Sequence, residues 1–377
     1  MAPRTRLLPG VFRKSGLRPS MKYCFMVITF FLAASTAARA QQVPPNVTVA
    51  QWPRDRLAAI SLTFDDAMSS QLDNAGPILK KHHVNGTFFV STGQPSWRNR
   101  KSEWKALAQR GNELANHTVH HPCLLPEIQP HSQDYTPEMM EAEIRDAAQE
   151  IITLLNWHRG LTFAYPCGNA SFGQPWDQVR NASLYLQYVA KYSFGARGAG
   201  GGGPLNPDEM SVLTVPDLGP TDGKDFATLL AMAEQGIRTH QWGIYCFHGV
   251  GGEWLSISSD SLDQLAAYLE LHPEIWTAPF GDVLRYSQER HAASVKVNQS
   301  TATEIDISIS WPMDATIYDL PLTLKVEVPS GWRDARVTAD GKEVSAKALN
   351  QNGETEILID VLPNTKAVHV EKKASST

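Results

Sequence analysis

Ala58-Ala59-Ile60-Ser61-Leu62-Thr63-Phe64-Asp65-Asp66 is an apolar run that ends in two adjacent carboxylates. The run predicts a buried strand over Ala58–Phe64, with the acidic pair at its carboxyl end. Because side chains alternate along a strand, Asp65 and Asp66 can serve one point only if the chain turns there. On its own, such a pair is more typical of a solvated turn or a helix cap. It indicates chemistry only in combination with a second motif.

That second motif is Asn116-His117-Thr118-Val119-His120-His121-Pro122. His117 and His121 are four residues apart, a spacing that brings both rings to one face if the segment turns helically. The spacing alone is weak evidence in a chain with 12 histidines. Combined with Asp66, the two imidazoles would give a divalent metal three ligands and leave a position open for water, as in catalytic zinc sites. Asp65 would remain as a spare carboxylate, able to take a proton from that water.

Two further motifs also follow predicted strands. Phe163-Ala164-Tyr165-Pro166-Cys167-Gly168 ends in a tight turn whose backbone N–H groups could face an oxyanion, and Cys246-Phe247-His248-Gly249 places His248 after another strand. Taken singly, these are typical of an ordinary turn and of a packed core histidine. Taken together, all four polar motifs fall at the carboxyl ends of predicted strands, where barrel enzymes keep their active sites.

From Leu57 to about Arg290 the chain alternates short apolar runs with helical patterns. The other predicted strands are Gly86–Ser91, Glu113–Asn116, Leu161–Pro166, Tyr188–Ser193, Ser211–Val215, Trp242–Phe247 and Ile275–Ala278. The predicted helices are Pro77–His83, Trp104–Arg110, Pro137–Asn156, Asp225–Arg238, Ser261–His272 and Asp282–His291. Repeated strand–helix units predict a parallel sheet, most simply a closed barrel, with a doubly wound open sheet as the alternative.

After His291 the pattern changes to alternating apolar and polar residues. The predicted strands are Val295–Val297, Glu304–Ser310, Leu322–Val328, Ala335–Thr338 and Glu356–Val361, and they indicate a small antiparallel sandwich. A sugar-binding module would need exposed aromatic residues on one face. The aromatic residues available for this are Trp311, Tyr318 and Trp332, so a structural role is favoured over sugar binding.

The ends and charge of the chain bound its location and partners. An apolar run over Cys24–Ala34 followed by Ala38-Arg39-Ala40 is typical of a secretory signal cleaved after Ala40. A membrane anchor is the alternative, but a span needs about 20 apolar residues. We therefore expect a secreted or periplasmic protein without stable membrane insertion after cleavage. The net charge of −5 implies neither nucleic acid nor a membrane surface as partner.

Three cysteines remain after signal removal: Cys123, Cys167 and Cys246. This number allows at most one internal disulfide and one thiol. Each lies beside one of the polar motifs, so a Cys123–Cys167 disulfide at the rim of the site is plausible. The alternative, three buried reduced cysteines, is equally compatible with the sequence.

The four motifs resemble those of the polysaccharide deacetylases with a NodB-homology domain, carbohydrate esterase family 4. The resemblance spans about Leu57–Arg290 and rests on TFDD, H-T-x-x-H, F-x-x-P-x-G and a late histidine, in the family's order. It implies a distorted (β/α) barrel of about seven strands. It also implies hydrolysis of acetyl amides or esters on sugars with one divalent metal ion, commonly zinc.

The resemblance also implies roles for individual residues. Asp65 resembles the family's general base, and His248 its general acid. Asp66, His117 and His121 resemble the metal ligands, and the backbone of Cys167 resembles a donor to the oxyanion.

The third motif departs from the family's usual R-P-P-Y-G. Ala164 replaces the arginine that hydrogen-bonds the base, Tyr165 replaces the first proline and Cys167 replaces the tyrosine. Loss of a cation beside Asp65 would raise its pKa unless another group substitutes. Arg197 is the candidate substitute, although a surface arginine is the default interpretation. We find no equivalent of the family's Asp-Trp motif.

These observations predict four segments: a signal peptide over 1–40, a lead-in over 41–56, the catalytic domain over 57–290 and the β domain over 291–377. The predicted function is hydrolysis of acetyl groups, N-linked more than O-linked, from an acetylated carbohydrate, with Trp254 as a stacking surface for a sugar ring. The alternatives are a weak or inactive carbohydrate-binding protein on the same fold and an amidase for small non-sugar substrates.

Overall fold

The computed structural model describes residues 45–198, 203–351 and 353–373. The predicted signal peptide therefore lies outside the described residues. Pro44–Thr377 forms a single contact unit that contains every strand and helix discussed below. Within the described part of the chain, no helix combines the length and apolar character needed to span a bilayer.

A parallel sheet of seven strands forms the centre of the fold and confirms the predicted barrel-type α/β class. Its strands are β2 (Ala58–Asp65), β3 (Thr87–Val90), β4 (Glu113–Asn116), β5 (Thr162–Ala164), β6 (Gly195–Arg197), β7 (Trp242–Phe247) and β8 (Ile275–Thr277). Six of them run in the order β6-β5-β4-β3-β2-β7, and β8 pairs with the start of β2. All eight residues of β2 are buried, as expected for a central strand of a parallel sheet.

Helices connect these strands and pack on the outside of the sheet. They are α1 (Gly76–Lys81), α2 (Pro95–Asn99), α3 (Lys101–Ala108), α4 (Pro137–Leu155), α5 (Gln178–Tyr192), α6 (Phe226–Thr239), α7 (Ser259–Leu271) and α8 (Phe280–Ala292). The helix with the most distinct amino-terminal signals is α4. The Thr136 side chain caps it by accepting a hydrogen bond from the Met139 N–H, and Pro137 occupies the first turn.

An irregular segment, residues 211–221, closes the gap between the edge strands β6 and β7. Val215 donates a backbone hydrogen bond to Ala196 of β6 and accepts one from Gly198, which directly follows β6, both at 2.9 Å. Leu218 donates to Ile244 of β7 at 2.9 Å, and Pro220 forms a bridge with Cys246. This closing segment completes a distorted barrel and carries polar residues to its carboxyl end.

Two predicted strands in this region are wrong. Tyr188–Ser193 is not a strand, because Tyr188–Tyr192 is the last part of α5 and the strand follows at Gly195–Arg197. Tyr185 and Val189 are buried four residues apart, so the apolar pattern there has a helical period. Ser211–Val215 is not a regular strand either. It belongs to the closing segment and pairs through Val215.

Beyond α8 the chain forms two antiparallel sheets that pack as a sandwich. Its strands are β9 (Ser294–Ser300), β10 (Glu304–Ser310), β11 (Leu322–Glu327), β12 (Ala335–Ala339), β13 (Lys342–Val344), β14 (Ala346–Gln351), β15 (Glu354–Val361) and β16 (Ala367–Lys372). One sheet has the order β13-β12-β16-β10-β9, and the other contains β11-β15-β14. Trp311 and Trp332 are buried in the core between them, so neither offers a surface for a sugar.

The segment interpreted as a lead-in contributes to this sandwich. Val47–Val49, strand β1, pairs antiparallel with β11 and forms the edge of the second sheet. Its register joins Val47 to Val326 and Val49 to Leu324. The sandwich is therefore built from both ends of the described chain, on either side of the barrel in sequence.

Glu289 lies where α8 meets the sandwich, and it is fully buried. Its Oε1 accepts a hydrogen bond from the Leu320 N–H at 3.1 Å, whereas Oε2 has no partner in the described structure. Burial raises the pKa of Glu289 to about 7, against the lowering effect of the Leu320 N–H.

This shift predicts a stability that falls as pH rises. The unfolded carboxyl titrates near 4.5, so folding favours the protonated form most below that pH and loses this contribution as pH rises to about 7. Glu289→Gln mimics the protonated group, and we expect it to be more stable than the wild type at pH 8 by on the order of 2–3 kcal/mol. Urea unfolding at pH 5 and pH 8 measures the difference.

Glu371→Gln is the matched control, since Glu371 is an exposed carboxylate on β16. Equal pH dependence of Glu289→Gln and the wild type would contradict the assignment.

Candidate metal and catalytic site

The polar motifs converge at the carboxyl ends of the parallel strands. Asp65 is the last residue of β2, Arg197 is the last residue of β6, and His248 directly follows β7. His117 directly follows β4, and Cys167 lies in the turn after β5. The parallel arrangement of the strands brings these distant segments to one edge of the sheet.

Asp66, His117 and His121 form a compact group, with one ligand atom of each within 4.8 Å of the others. The Nε2 atoms of both histidines lie 3.4 Å from Asp66 Oδ1. Their rings meet edge to face, with centroids 4.7 Å apart. A second group, Asp65, Cys246 and His248, satisfies the same distance limit beside it.

The two histidines come together without the helical turn that their spacing of four would allow. The segment that carries them is irregular, with left-handed backbone at Thr118 (φ 65°) and His121 (φ 58°). The Thr118 side chain stabilises this loop by accepting a hydrogen bond from the His121 N–H at 3.0 Å. Asn116 accepts from the Thr118 N–H at 2.8 Å.

A turn also separates the two aspartates. Asp66 (φ 81°) and Ala67 (φ 56°) both have left-handed backbone directly after β2. Such conformations are costly for residues other than glycine and persist where the surrounding structure imposes them, commonly at functional sites. Here the turn directs Asp66 toward the two imidazoles, while Asp65 faces the barrel axis.

The group of Asp66, His117 and His121 has the chemical character of a divalent-metal site. Asp66 Oδ1 is buried and has no hydrogen-bond partner among the described residues. His117 Nδ1 lies 2.8 Å from the Ala164 carbonyl, which fixes the ring so that Nε2 faces the group. Two nitrogen donors and one oxygen donor, with room for further ligands, match the donor set of catalytic zinc.

The protonation states of this group suit a cation. Burial would raise the pKa of Asp66, but His117 and His121 lower it well below its usual range. Burial and the neighbouring His117 lower the pKa of His121 to about 4. Burial also opposes charge on His117, yet Asp65 and Asp66 raise its pKa. A proton on His117 would therefore be displaced on metal binding, as is usual for metal ligands.

Arg197 lies between two carboxylates in the barrel interior. Its Nη2 donates a hydrogen bond to Asp65 Oδ2, and its Nη1 donates to Asp217 Oδ2 at 2.8 Å. The three residues are at most 5% exposed. Burial would raise the pKa of Asp65, but the Arg197 guanidinium together with His117 and His248 lowers it below its usual value. The chain thus places a cation beside Asp65 although Ala164 occupies the position of the family's arginine.

Asp217 is a site residue that the sequence interpretation missed. It lies in the closing segment, and its Oδ1 also accepts from the Gly219 N–H at 2.8 Å. Its local signal was weak, an acidic residue that follows Pro216 after the run Ser211–Val215. Because that run was interpreted as an ordinary strand, nothing connected Asp217 with Arg197.

Cys246 was considered only as a cysteine and not as part of the site. Its Sγ lies 3.6 Å from Asp65 Oδ2, and burial raises the pKa of its thiol. The other two cysteines form the Cys123–Cys167 disulfide, one of the alternatives left open by the sequence. This disulfide joins the loop after His121 to the turn that carries Cys167.

A cleft with two lobes opens over the site. The apolar lobe, about 510 Å³, is lined by Leu125, Ile128, Tyr165, Cys167, Pro220, Leu255 and the groups around His248. The polar lobe, about 560 Å³, is lined by Met68, Gln94, His120, Glu127, Gln129 and Glu253. Asp66, His121, Ile128 and Trp254 belong to both. Trp254 is 59% exposed, so its indole is available to a ligand in either lobe.

Residues 54–186 match the family model described as polysaccharide deacetylase. This part of the chain is a polysaccharide deacetylase domain. The matched range includes Asp65, Asp66, His117 and His121 but ends before Arg197 and His248, which the structure brings to the same site.

Several known proteins are similar to the chain. A gellan lyase from a Bacillus species is 25% identical over 361 residues, and the chain spans 88% of its own length but only 13% of that relative. A solved putative polysaccharide deacetylase from Mycobacterium smegmatis has 12% identity and a TM-score of 0.45, covering 66% of this chain and 96% of that one. PdaA of Bacillus subtilis, a family 4 carbohydrate esterase, has 18% identity and a TM-score of 0.38, covering 60% and 80%.

Removing the cation between the two aspartates should destabilise the deacetylase domain. Arg197→Met would leave Asp65 and Asp217 buried without a counter-charge, and we expect a loss of about 3–5 kcal/mol in the free energy of unfolding. Arg197→Lys keeps the positive charge but cannot donate to both carboxylates in the geometry of the guanidinium. We therefore expect an intermediate loss in the free energy of unfolding. Denaturant unfolding near neutral pH measures both.

Arg336→Met is the matched control, because Arg336 pairs with Glu343 on the exposed face of the sandwich. It should change stability by no more than about 0.5 kcal/mol. An Arg197→Met protein as stable as this control would show that the buried ion pairs contribute nothing.

Proposed function

We propose that the protein is an exported, metal-dependent deacetylase that hydrolyses acetyl groups, N-linked rather than O-linked, on a carbohydrate polymer or oligosaccharide. Enzymes of its family are metal-dependent, and the chain holds a residue group that could ligate a metal. The observation that carries the proposal is the pairing of this group with a second carboxylate, Asp65, that is kept ionised but takes no part in it.

Asp66, His117 and His121 would hold the ion, which we expect to be zinc. Bound there, a divalent cation would supply Lewis acidity and would lower the pKa of a nearby water molecule. The chain itself fixes the ring of His117 through the Ala164 carbonyl and the backbone at His121 through the Thr118 hydroxyl.

Asp65 is suited to accept the proton of the attacking water. Its Oδ2 is engaged by Arg197, whereas Oδ1 is buried and without a hydrogen-bond partner in the structure described. The free oxygen is therefore the atom that can bind a water molecule and take its proton. Arg197 fixes the orientation of the carboxylate and keeps it in the basic form.

The opposite side of the cleft would complete the reaction. The backbone N–H of Cys167, held in place by the disulfide, would donate a hydrogen bond to the oxyanion of the tetrahedral species. His248 would protonate the departing amine, and it lies within 4.8 Å of Asp65 when ligand atoms are compared. Tyr165 and Leu255 line the lobe next to these groups and would exclude water from the acetyl methyl.

Export is supported by two independent features. The signal-like amino terminus is one, although it lies outside the described residues. The Cys123–Cys167 disulfide is the other, because stable disulfides are typical of oxidising compartments. We propose a secreted or periplasmic location on this basis.

The geometry favours the enzyme over an inactive carbohydrate-binding protein. The inactive alternative was suggested by two departures from the family's motifs, the absence of the arginine of the third motif and the absence of the Asp-Trp motif. Arg197 and Asp217 together supply a buried cation and a carboxylate that orients it, so the proposed base retains a charged partner.

Two substitutions test the proposed division of roles. Asp65→Asn should retain bound zinc but lose at least about 100-fold in turnover, because the base is removed and the ligands remain. His117→Ala should lose both zinc and turnover. Metal content by mass spectrometry and acetate release from acetylated chitin oligomers measure the two effects.

His158→Ala is the control, since His158 is exposed and lies outside both lobes. Wild-type turnover by Asp65→Asn would refute the assigned base. Absence of acetate release from every acetylated glycan tested with the zinc-loaded wild type would refute the deacetylase proposal itself.

A further inference from the structure

The charge of the cleft points to the kind of glycan it accepts. We propose that the cleft takes acetylated amino-sugar chains that are uncharged or carry free amines, and that it discriminates against chains with carboxylates next to the acetylated sugar. This inference rests on the proposed deacetylase function and specifies its substrate class.

Acidic side chains dominate the charged lining of both lobes. Glu127 and Glu253 line the polar lobe, and Asp222 lines the apolar lobe together with Asp65 and Asp217. Within the described ranges, no lysine or arginine lines either lobe. Arg197, beside the apolar lobe, is 2% exposed and is paired with Asp65 and Asp217. Arg100 contacts the carbonyl of Ser69 in the polar lobe but is paired with Asp73 and Glu103.

A bound metal ion would not reverse this balance. Arg197 offsets one of the charges of Asp65 and Asp217, which leaves that trio with one net negative charge. Asp66 adds another, and a divalent cation would then bring the centre to about zero. The carboxylates at the rim, Glu127, Glu253 and Asp222, would keep their negative charge.

The rim carboxylates differ in whether hydrogen bonds from the protein offset their charge. Glu253 accepts hydrogen bonds from the Ser69 and Ser70 N–H groups, at 3.3 and 2.6 Å, so its charge is partly offset by a helical amino terminus. Glu127 and Asp222 are exposed and make no side-chain hydrogen bond to the described residues. They lie in different lobes, so a chain crossing the centre would pass one on each side.

The aromatic surface of the cleft is compatible with a neutral sugar. Trp254 lines both lobes and is 59% exposed, so its indole can contact the apolar face of a sugar ring without requiring charge.

These features make a uronate costly on either side of the reacting sugar. Its carboxylate would meet like charge in a concave surface, where fields are focused and no cation is available for pairing. An ammonium at the same position would be attracted by Glu127 or Asp222.

Three oligosaccharides of equal length test the inference, and in all three the acetyl group is attached through the same amide linkage. They are an oligomer of N-acetylglucosamine, the same oligomer with part of its amines free, and an oligomer in which N-acetylglucosamine alternates with glucuronate. We expect kcat/KM for acetate release to be highest for the amine-bearing chain and at least about tenfold lower for the uronate chain than for the neutral one. Added salt should narrow both differences, since exposed charges are screened.

Glu127→Gln combined with Asp222→Asn tests the named residues. We expect the penalty against the uronate chain to shrink by about 1.4- to 5-fold for each carboxylate removed. Glu371→Gln, the exposed control on the sandwich, should leave all three rates unchanged. A uronate chain cleaved as fast as the neutral one, or a penalty insensitive to both the double variant and salt, would overturn the inference.

Binding of the same oligomers to the metal-free protein, measured by calorimetry, separates this inference from the proposed function. If no acetate is released but the amine-bearing chain binds more tightly than the uronate chain, the deacetylase proposal fails and the charge selectivity stands. Equal binding of all three chains would overturn the charge selectivity independently of catalysis.

Discussion

The buried guanidinium of Arg197 is the constraint on which the rest of the site depends. A charge in the interior of a barrel carries a large desolvation penalty, which is offset only by close and well-oriented partners. Asp65 comes from the first strand of the barrel and Asp217 from the closing segment, so one cation connects two segments that are distant in sequence. The ion pairs therefore define the local geometry as well as the charge of the proposed base.

This connection also explains why the closing segment can be irregular. Residues 211–221 make only a few backbone hydrogen bonds to the edge strands, too few for a regular strand. The contact of Asp217 with Arg197 supplies a specific anchor at the carboxyl end, where the hydrogen bonds to β7 begin. The same segment brings Gly219, Pro220 and Thr221 to the wall of the apolar lobe. The same segment therefore closes the barrel and forms part of the wall of the cleft.

Much of this architecture could be predicted because its signals are local. The strand over Ala58–Asp65 is a continuous apolar run, and α4 has a polar cap, a proline in its first turn and a helical stripe that includes Met140 and Ile144. The helix Gln178–Tyr192 was missed because its end, Tyr188–Tyr192, is too short for periodicity to separate a strand from a buried helix. The helical spacing is visible only when Tyr185 is compared with Val189. The closing segment was misjudged because its pairing depends on partners distant in sequence.

The site, too, was predictable only where its signals are local in sequence. The residue types and spacings of the acidic pair and the two histidines pointed to a metal group, but the sequence could not show how the histidines converge. Left-handed backbone at Thr118 and His121 does so, and neither residue is a glycine that would have revealed it. Arg197 was found by looking for a cation in the neighbouring strand. Asp217 was not found, since nothing local distinguishes it from a surface aspartate.

Strand β1 gives the fold an unusual order of assembly. Because Val47–Val49 lies at the edge of a sheet whose other strands follow residue 321, the barrel is topologically an insertion within the sandwich. The second sheet of the sandwich is complete only when Val47–Val49 has paired with Leu324–Val326. Contacts of such high sequence separation slow folding. A chain that begins at Leu57 would retain every barrel strand but would expose the backbone edge of β11. An exposed edge strand of this kind can pair with a strand of another molecule. The strand Val47–Val49 thus covers the backbone of β11 and leaves an edge strand of only 3 residues in its place.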